Sequence, residues 1–288
     1  MDVSVIVPTA NRHEHVLNLL NCLNRQTHRP REVLVSAPTR DDLPDLTPFQ
    51  GWAIPVVGAR GASAQRNAAM QIISPRSFAA FFFDDDVSLA PTYIEAAVRA
   101  LSSDDSLAGV TGTLLLDGAR GRHPVGFPQA AAAIAEAIAE DSVLEVPNLY
   151  GCNFGVRAPD LTGLPFDERL PLYSWLEDLD FSKRLLGKRG GAFARLGSCV
   201  AVHHGSSTSG ITQHIRLGYS QVTNVAYLLV KGSVKPAQAA RLIYRPVLAN
   251  FAGAVCGIRW RQARLKGNMV SVGDLLRGRI TPERITSF

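Results

Sequence analysis

Three consecutive aspartates, Asp84-Asp85-Asp86, follow the apolar run Phe81-Phe82-Phe83. Adjacent carboxylates repel one another unless positive charge sits among them. In an extended stretch Asp84 and Asp86 project to the same side. There they suit a Mg2+ or Mn2+ that takes its remaining oxygens from water and a substrate diphosphate. The same residues also suit an acidic turn in which Asp86 or Ser88 caps local backbone. A second acidic group is Glu177-Asp178, followed by Asp180. Glu177 and Asp180 can share a helix face while Asp178 points elsewhere. A base that deprotonates an alcohol must be a positioned carboxylate or histidine. An acidic first helical turn is also what the helix dipole favours by itself. His203-His204 end the apolar stretch Cys199 to Val202, and a neutral imidazole there either completes a carboxylate-bound metal site or sits hydrogen-bonded in the core. Gly61-Ala62-Ser63-Ala64-Gln65-Arg66-Asn67 opens a helix. Its start can approach an anion and Arg66 can pair with phosphate, or it is an ordinary helix N-terminus with an exposed arginine. Asp104-Asp105, with no apolar strand before it, reads as solvated surface, as do His13, His15 and His28.

These groups need a scaffold, and hydrophobic periodicity supplies one. Short apolar runs at 3–7, 32–35, 56–57, 78–83 and 107–116 read as strands. Helical spacing fills 12–25, 62–73 and 91–101 between them. The alternation implies an α/β fold, a mostly parallel Rossmann-like sheet flanked by helices, whose ligands bind beyond the carboxyl ends of the strands. The aspartate trio lies at such an end. Further on, 130–138 reads as a helix, 146–156 as extended, 175–186 as a helix ended by Gly187, and 193–202 as one or two strands. A helix over 212–230 precedes a basic helical tail from Pro236. The pattern divides into 1–210, in parts 1–116 and 117–210, and a helical basic extension over 211–288.

The net charge is +5, with 46% hydrophobic and 19% charged residues, which excludes wholesale disorder. From Arg241 onward nine basic residues face two acidic ones, so the tail carries +7 and the rest about −2. Such a tail is a solvated surface or a patch for anionic lipid headgroups or an anionic acceptor. No aromatic-interleaved basic motif suggests nucleic acid. Four dispersed cysteines, with no CxxC pair, suggest neither a zinc knuckle nor a disulfide framework and fit a reducing cytoplasm. There is no signal-peptide pattern and no apolar run of about 18 residues.

The order of these motifs resembles the family-2 glycosyltransferases of the GT-A fold, over residues 3 to 205. VSVIVPTANR looks like the family's first strand and loop, GASAQRNAAM like its donor-side Arg-Asn helix, and FFFDDDV like its DxD segment. LYGCNFGVRA is similar to its acceptor-side strand, WLEDLDFSKRL to its Glu-Asp helix, and VHHG to the histidine that follows. The resemblance implies an inverting transferase that uses a nucleotide-sugar donor and Mn2+ or Mg2+. It implies Asp84, Asp86 and His203 (preferred over His204) at the metal, and Asp178 as general base supported by Glu177. Donor contacts would come from Pro8, Thr9, Arg12, Arg66, Asn67, Asp84 and Asp85, and acceptor contacts from Asn153, Trp175 and Glu177. The family's second strand usually ends in an aspartate for the nucleoside. Here it ends Val35-Ser36-Ala37-Pro38, with Ser36 the candidate replacement. A glycan or lipid-linked acceptor, polysaccharide or glycolipid assembly, peripheral membrane contact through the tail and a homodimer complete the expectation.

Three other readings compete. Asp84-Asp85-Asp86-Val87-Ser88 fits the DxDx(T/S) pattern of haloacid-dehalogenase-like phosphatases with Asp84 as nucleophile, although that family places the motif on its first strand. Nucleotidyl transfer expects an early glycine-rich loop, which Pro8 to Arg12 lacks. A non-catalytic nucleotide-sugar-binding module would keep the fold without the chemistry. The transferase reading requires Asp84, Asp86 and Asp178 to open onto one cleft.

Overall fold

The computed structural model describes residues 1–120, 123–205 and 210–288. They divide into two units, Met1–Phe166 with Phe181–Ser207, and Asp167–Asp180 with Thr208–Phe288.

The chain runs β1 (Asp2–Pro8), α1 (His13–Asn24), β2 (Glu32–Ala37), β3 (Ala53–Val57), α2 (Ala62–Met70), β4 (Ser77–Phe83), β5 (Val87–Leu89) and α3 (Tyr93–Ser103). It continues through β6 (Leu107–Asp117), α4 (Phe127–Glu136), β7 (Val143–Val146), β8 (Asn153–Arg157), α5 (Glu177–Arg189) and β9 (Ala192–His203). Among the described residues the strands form one sheet in the order β3-β2-β1-β4-β8-β6-β9-β5, with β7 also paired to β9. Strands β3, β2, β1 and β4 are mutually parallel, as are β6 and β9. Strand β8 runs antiparallel to both β4 and β6, so these two share one direction. Consequently Pro8, Phe83, Asp117 and His203, the last residues of β1, β4, β6 and β9, all lie at one rim of the sheet.

Burial on both faces explains the near-continuous apolar strands. Val3, Val5, Val7, Phe81 and Phe83 pack with Val16, Leu19 and Leu23 of α1 and Ile94 and Leu101 of α3. The alternate residues Ile6, Leu34, Phe82 and Phe154 pack with Phe166, Phe181 and Leu185. Phe82 stacks on Phe154 at 4.7 Å between centroids, and Phe166 on Phe181 at 4.3 Å. Gly155 lets β8 fit beside β4, because a Cβ there would lie 2.4 Å from the Phe81 ring.

Several boundaries differ from the sequence reading. β5 is too short to show a period. The stretch expected to be extended over 146–156 is two strands, β7 and β8, with non-strand backbone between them. Gly187 lies inside α5, which ends at Arg189 where Gly190 and Gly191 adopt φ of +76° and +86°. A helical glycine costs about 1 kcal/mol but does not end a helix, whereas positive φ does.

The second unit holds α6 (Ile211–Lys231), α7 (Pro236–Val255) and α8 (Arg259–Leu275), so the expected single tail is a pair of helices. Leu170 and Leu179 pack against Val225, Leu228, Val234 and Ala239. Lys231 bonds Asp167 at 2.5 Å and Asp180 at 2.8 Å, and Ser233 donates to Asp180 at 2.5 Å. These contacts group 167–180 with α6 rather than with 117–210. They also bury Asp180 completely, off any exposed face shared with Glu177.

Candidate active site

The site is assembled on the common carboxyl rim from strand ends far apart in sequence. Asp84, Asp86 and His203 each offer a ligand atom, all within 4.8 Å of one another. Pairing of β5 with β9 sets Val87 opposite His203, which brings the trio beside the imidazole. His203 Nε2 lies 3.2 Å from Asp86 Oδ1, and its Nδ1 lies 3.0 Å from Asp117 Oδ1. Asp117 in turn accepts Tyr150 OH at 2.8 Å. A carboxylate behind the imidazole fixes the proton on Nδ1 and turns the Nε2 lone pair toward the front. Two carboxylates and one such imidazole form a donor set suited to Mn2+ or Mg2+.

His204 is differently employed. Its Nδ1 meets Val125 O at 2.7 Å and its Nε2 meets Ser88 Oγ at 2.8 Å, which itself accepts from Asn18. Its ring packs edge-on to Phe127 at 4.9 Å. Both nitrogens are occupied inside the core, which separates two histidines that adjacency leaves equivalent. His15, expected at the surface, is half-buried against Phe127 and His204 at 5.1 and 5.6 Å. Gly205 must be glycine: its φ is +67°, and a Cβ would meet the Gly118 carbonyl carbon at 2.2 Å.

Charge at the rim is crowded. Asp85 accepts Thr9 Oγ1 at 2.6 Å and Arg12 Nη1 at 2.7 Å, and Arg12 also reaches Asp86 at 3.3 Å. Burial nevertheless pushes Asp85 up to about 6, against the opposing pull of Arg12. Burial likewise raises Asp84, opposed by Arg66. For His203 burial favours the neutral ring, but hydrogen bonds to Asp117 and Asp86 outweigh it and lift the pKa to about 10. Those two carboxylates thus favour the protonated ring while no cation is bound. A cation held by Asp84, Asp86 and Nε2 must displace that proton.

Other candidate residues have different partners from those expected. Arg66 is fully buried, bonding Asp84 at 2.8 Å and Gly151 O at 3.1 Å. It therefore supports the aspartate rather than opening onto a donor. Asn67 exchanges two hydrogen bonds with the Phe166 backbone, at 2.9 and 2.7 Å, and is a buried clamp rather than a donor contact. Ser36 is fully buried, and its Oγ has no hydrogen-bond partner among the described residues. It acts through its carbonyl, which takes Thr9 N and Gln65 Nε2. Gln65 also reaches Thr9 O at 2.6 Å and so fixes the loop after β1.

Asn153, expected to meet an acceptor, is fully buried. Its Oδ1 takes Gly112 N at 2.7 Å and Tyr93 OH at 3.0 Å, tying β8 to β6 and α3. Removing it strands two buried donors. Asn153→Ala is therefore expected to lower stability by about 2–4 kcal/mol, read as a shift in the urea midpoint. A raised acceptor KM at unchanged stability would instead restore the binding role.

The signal for Asp117 was present in the sequence: it is a carboxylate at the carboxyl end of β6, the rule that selects Asp84. In the second unit, Asp178 lies in the first turn of α5, half-buried, and accepts Leu179 N at 2.8 Å. Glu177 is buried beside it in sequence. Trp175 is partly buried against the Leu170 cluster, and its carbonyl accepts Asn224 Nδ2. Leu172, Ser174 and Leu176, just before this turn, all have positive φ (60°, 52° and 74°). Such backbone costs of order 1–3 kcal/mol per residue and collects where geometry serves function.

No family profile and no curated protein matches the sequence. Among solved structures, the mannosyltransferase PcManGT from Pyrobaculum calidifontis, in complex with GDP-Man and Mn2+, is 18% identical. The match covers 99% of this chain and 83% of that one, with a TM-score of 0.57. GalNAc-T7 with UDP, GalNAc and Mn2+ is 13% identical over 78% of this chain and 50% of its own, with a TM-score of 0.54. S. aureus TarS is 19% identical over 84% of this chain, which spans only 42% of TarS, with a TM-score of 0.51. The likeness establishes the GT-A fold.

Proposed function

We propose that this GT-A chain is an inverting, family-2-like glycosyltransferase that moves a sugar from a nucleotide-diphosphate donor to a hydroxyl of a glycan or lipid-linked acceptor. The observation that carries the reading is the Asp84–Asp86–His203 set on the sheet rim, backed by Asp117. In related folds, PcManGT and GalNAc-T7 were crystallised with Mn2+ and a nucleotide or nucleotide sugar. Asp84, Asp86 and His203 Nε2 would hold the cation, which when bound supplies neutralisation of charge on the departing diphosphate.

The protein's own groups then have distinct tasks. Asp117 orients His203, and Arg66 holds Asp84. Thr9 and Arg12 fix Asp85, with Pro8 and the half-exposed Arg12 bordering the donor. Asp178, supported by Glu177, takes the acceptor proton while the acceptor oxygen bonds to the anomeric carbon from the face opposite the diphosphate. The bond to the diphosphate breaks in the same displacement, so that centre inverts. Trp175 offers an aromatic face to an acceptor sugar. Polysaccharide or glycolipid assembly in the cytoplasm is the setting this reading implies. A phosphatase would need Asp84 as a nucleophile, and its pairing with Arg66 disfavours that use.

The test is a thermal-melting screen of UDP-, GDP-, dTDP- and CDP-sugars with and without Mn2+. One nucleotide sugar with Mn2+ is expected to raise the midpoint by roughly 5–10 °C at saturation, and much less after EDTA. Equal stabilisation with chelator present would remove the metal role. Release of phosphate from an aryl phosphate would favour the phosphatase.

A further inference from the structure

Helices α7 and α8 depart from the usual pattern of a surface helix, which buries its large apolar residues and exposes its polar ones; Leu242 and Ile243 near the start of α7 do pack, partly buried, against the Leu170 cluster. The buried positions of the two helices are small or polar: Ala239, Asn250, Ala263, Gly267, Asn268, Ser271 and Asp274. Asn250 donates to Gln221 at 2.8 Å and Asn268 at 2.9 Å, and Asn268 donates to Gly218 O at 2.7 Å. Gly218 and Gly267 let α6 and α8 approach so closely that a Cβ on either would meet backbone oxygen at 2.0–2.1 Å. Meanwhile Leu248, Phe251 and Val255 of α7 are 58–73% exposed, as are Met269 at 67% and, just past α8, Leu276 at 85%. Glycine contacts and amide bonds inside, with apolar side chains outside, are how helices associate where the surroundings are apolar.

Charge specifies those surroundings. No charged residue occurs between Arg245 and Arg259, so the end of α7 and the turn into α8 form an apolar tip carrying Phe251, Val255 and Ile258. Arg245 and Arg259 bound this stretch, with Arg241 one turn before Arg245; all three are exposed and without an ion pair among the described residues. Trp260 follows, 37% exposed, with the Arg261 and Arg264 guanidiniums over its ring at 4.2 and 4.6 Å. A cleft of about 730 Å3 begins at the tip, at Ala254 and Gln262, and is lined further along by Lys266, Arg277, Arg279, Arg284 and one acid, Asp274. The acid of these two helices, Asp274, is buried against Tyr219 and Arg284.

We infer that the α7–α8 hairpin docks on the surface of an anionic bilayer. Phe251, Val255 and Ile258 enter one leaflet, and the flanking arginines and the basic cleft meet lipid phosphates. The uncharged part of α7 is about 15 Å long, half of a hydrocarbon core of about 30 Å. No described helix is long and apolar enough to cross a membrane. The inference stands apart from the transferase reading, because vesicle binding is measured without donor or turnover.

The test floats the full chain with vesicles of phosphatidylcholine alone or with added phosphatidylglycerol. Binding to the anionic vesicles is expected to be at least about tenfold tighter than to the neutral ones, to weaken in high salt, and to shift Trp emission to the blue. Phe251→Ser with Val255→Ser should lower it about tenfold at an unchanged melting temperature, and Arg245→Gln with Arg259→Gln should reduce the anionic preference. Failure of the native chain to float with anionic vesicles would overturn the inference. So would undiminished binding of the serine variant, or a dimer by light scattering that this variant dissolves while vesicles bind neither form.

Discussion

Asp178→Asn is expected to lower glycosyl transfer by roughly 10²–10⁴-fold, the usual contribution of a positioned general base. Asparagine keeps the size of the side chain and an oxygen for Leu179 N, so the first turn of α5 should persist. What it loses, on the proposed mechanism, is the basicity that takes the acceptor proton. Because the donor does not need that proton transfer to bind, the melting shift produced by nucleotide sugar and Mn2+ should match that of the unmodified chain. The pairing of the two measurements matters. Loss of both would indicate a structural role, whereas turnover within about tenfold of normal would move the base elsewhere.

Asp86→Asn should have the second large effect, on the opposite measurement. Asp86 is buried between Arg12 and His203, and its backbone carbonyl accepts His204 N at 2.8 Å. Asparagine preserves that backbone contact but presents the cation with a neutral ligand. On the proposed reading, several kcal/mol of charge stabilisation on the leaving group would depend on the cation being held, or roughly 10³-fold in rate. Mn2+ should then no longer raise the melting midpoint of the variant. A surface control, Asp104→Asn, should melt and turn over normally, since Asp104 is exposed and its side chain bonds only Ser106, through an oxygen that asparagine keeps. A variant at Asp86 that keeps both the Mn2+ response and turnover would dissolve the proposed metal set.

The two variants separate the two units of the chain. Asp86 belongs to the sheet rim, a rigid meeting of strand ends, while Asp178 follows a loop of left-handed residues in the helical unit. Charge also divides: exposed basic residues dominate the α7–α8 hairpin, where the bilayer inference rests, and buried or half-buried aspartates crowd the rim.

Local pattern determined much of this. Two-sided apolar runs specify buried strands, and a carboxylate at the end of a strand in the parallel part of the sheet falls on the ligand-binding rim. The sheet, its alternating helices and the placement of Asp84 and Asp86 follow from that. Tertiary structure alone decided the roles of the amides and histidines, because a polar side chain is defined by its partners and those come from distant segments. Asn153 meets Tyr93 and Gly112, and Asn67 meets Phe166, across separations of 41 to 99 residues that no periodicity encodes. Likewise His203 and His204 are neighbours in sequence, but the first ends β9 and the second lies just past it, with different partners. One meets Asp117 and Asp86, the other Ser88 and Val125, and so one faces the rim and the other completes the core.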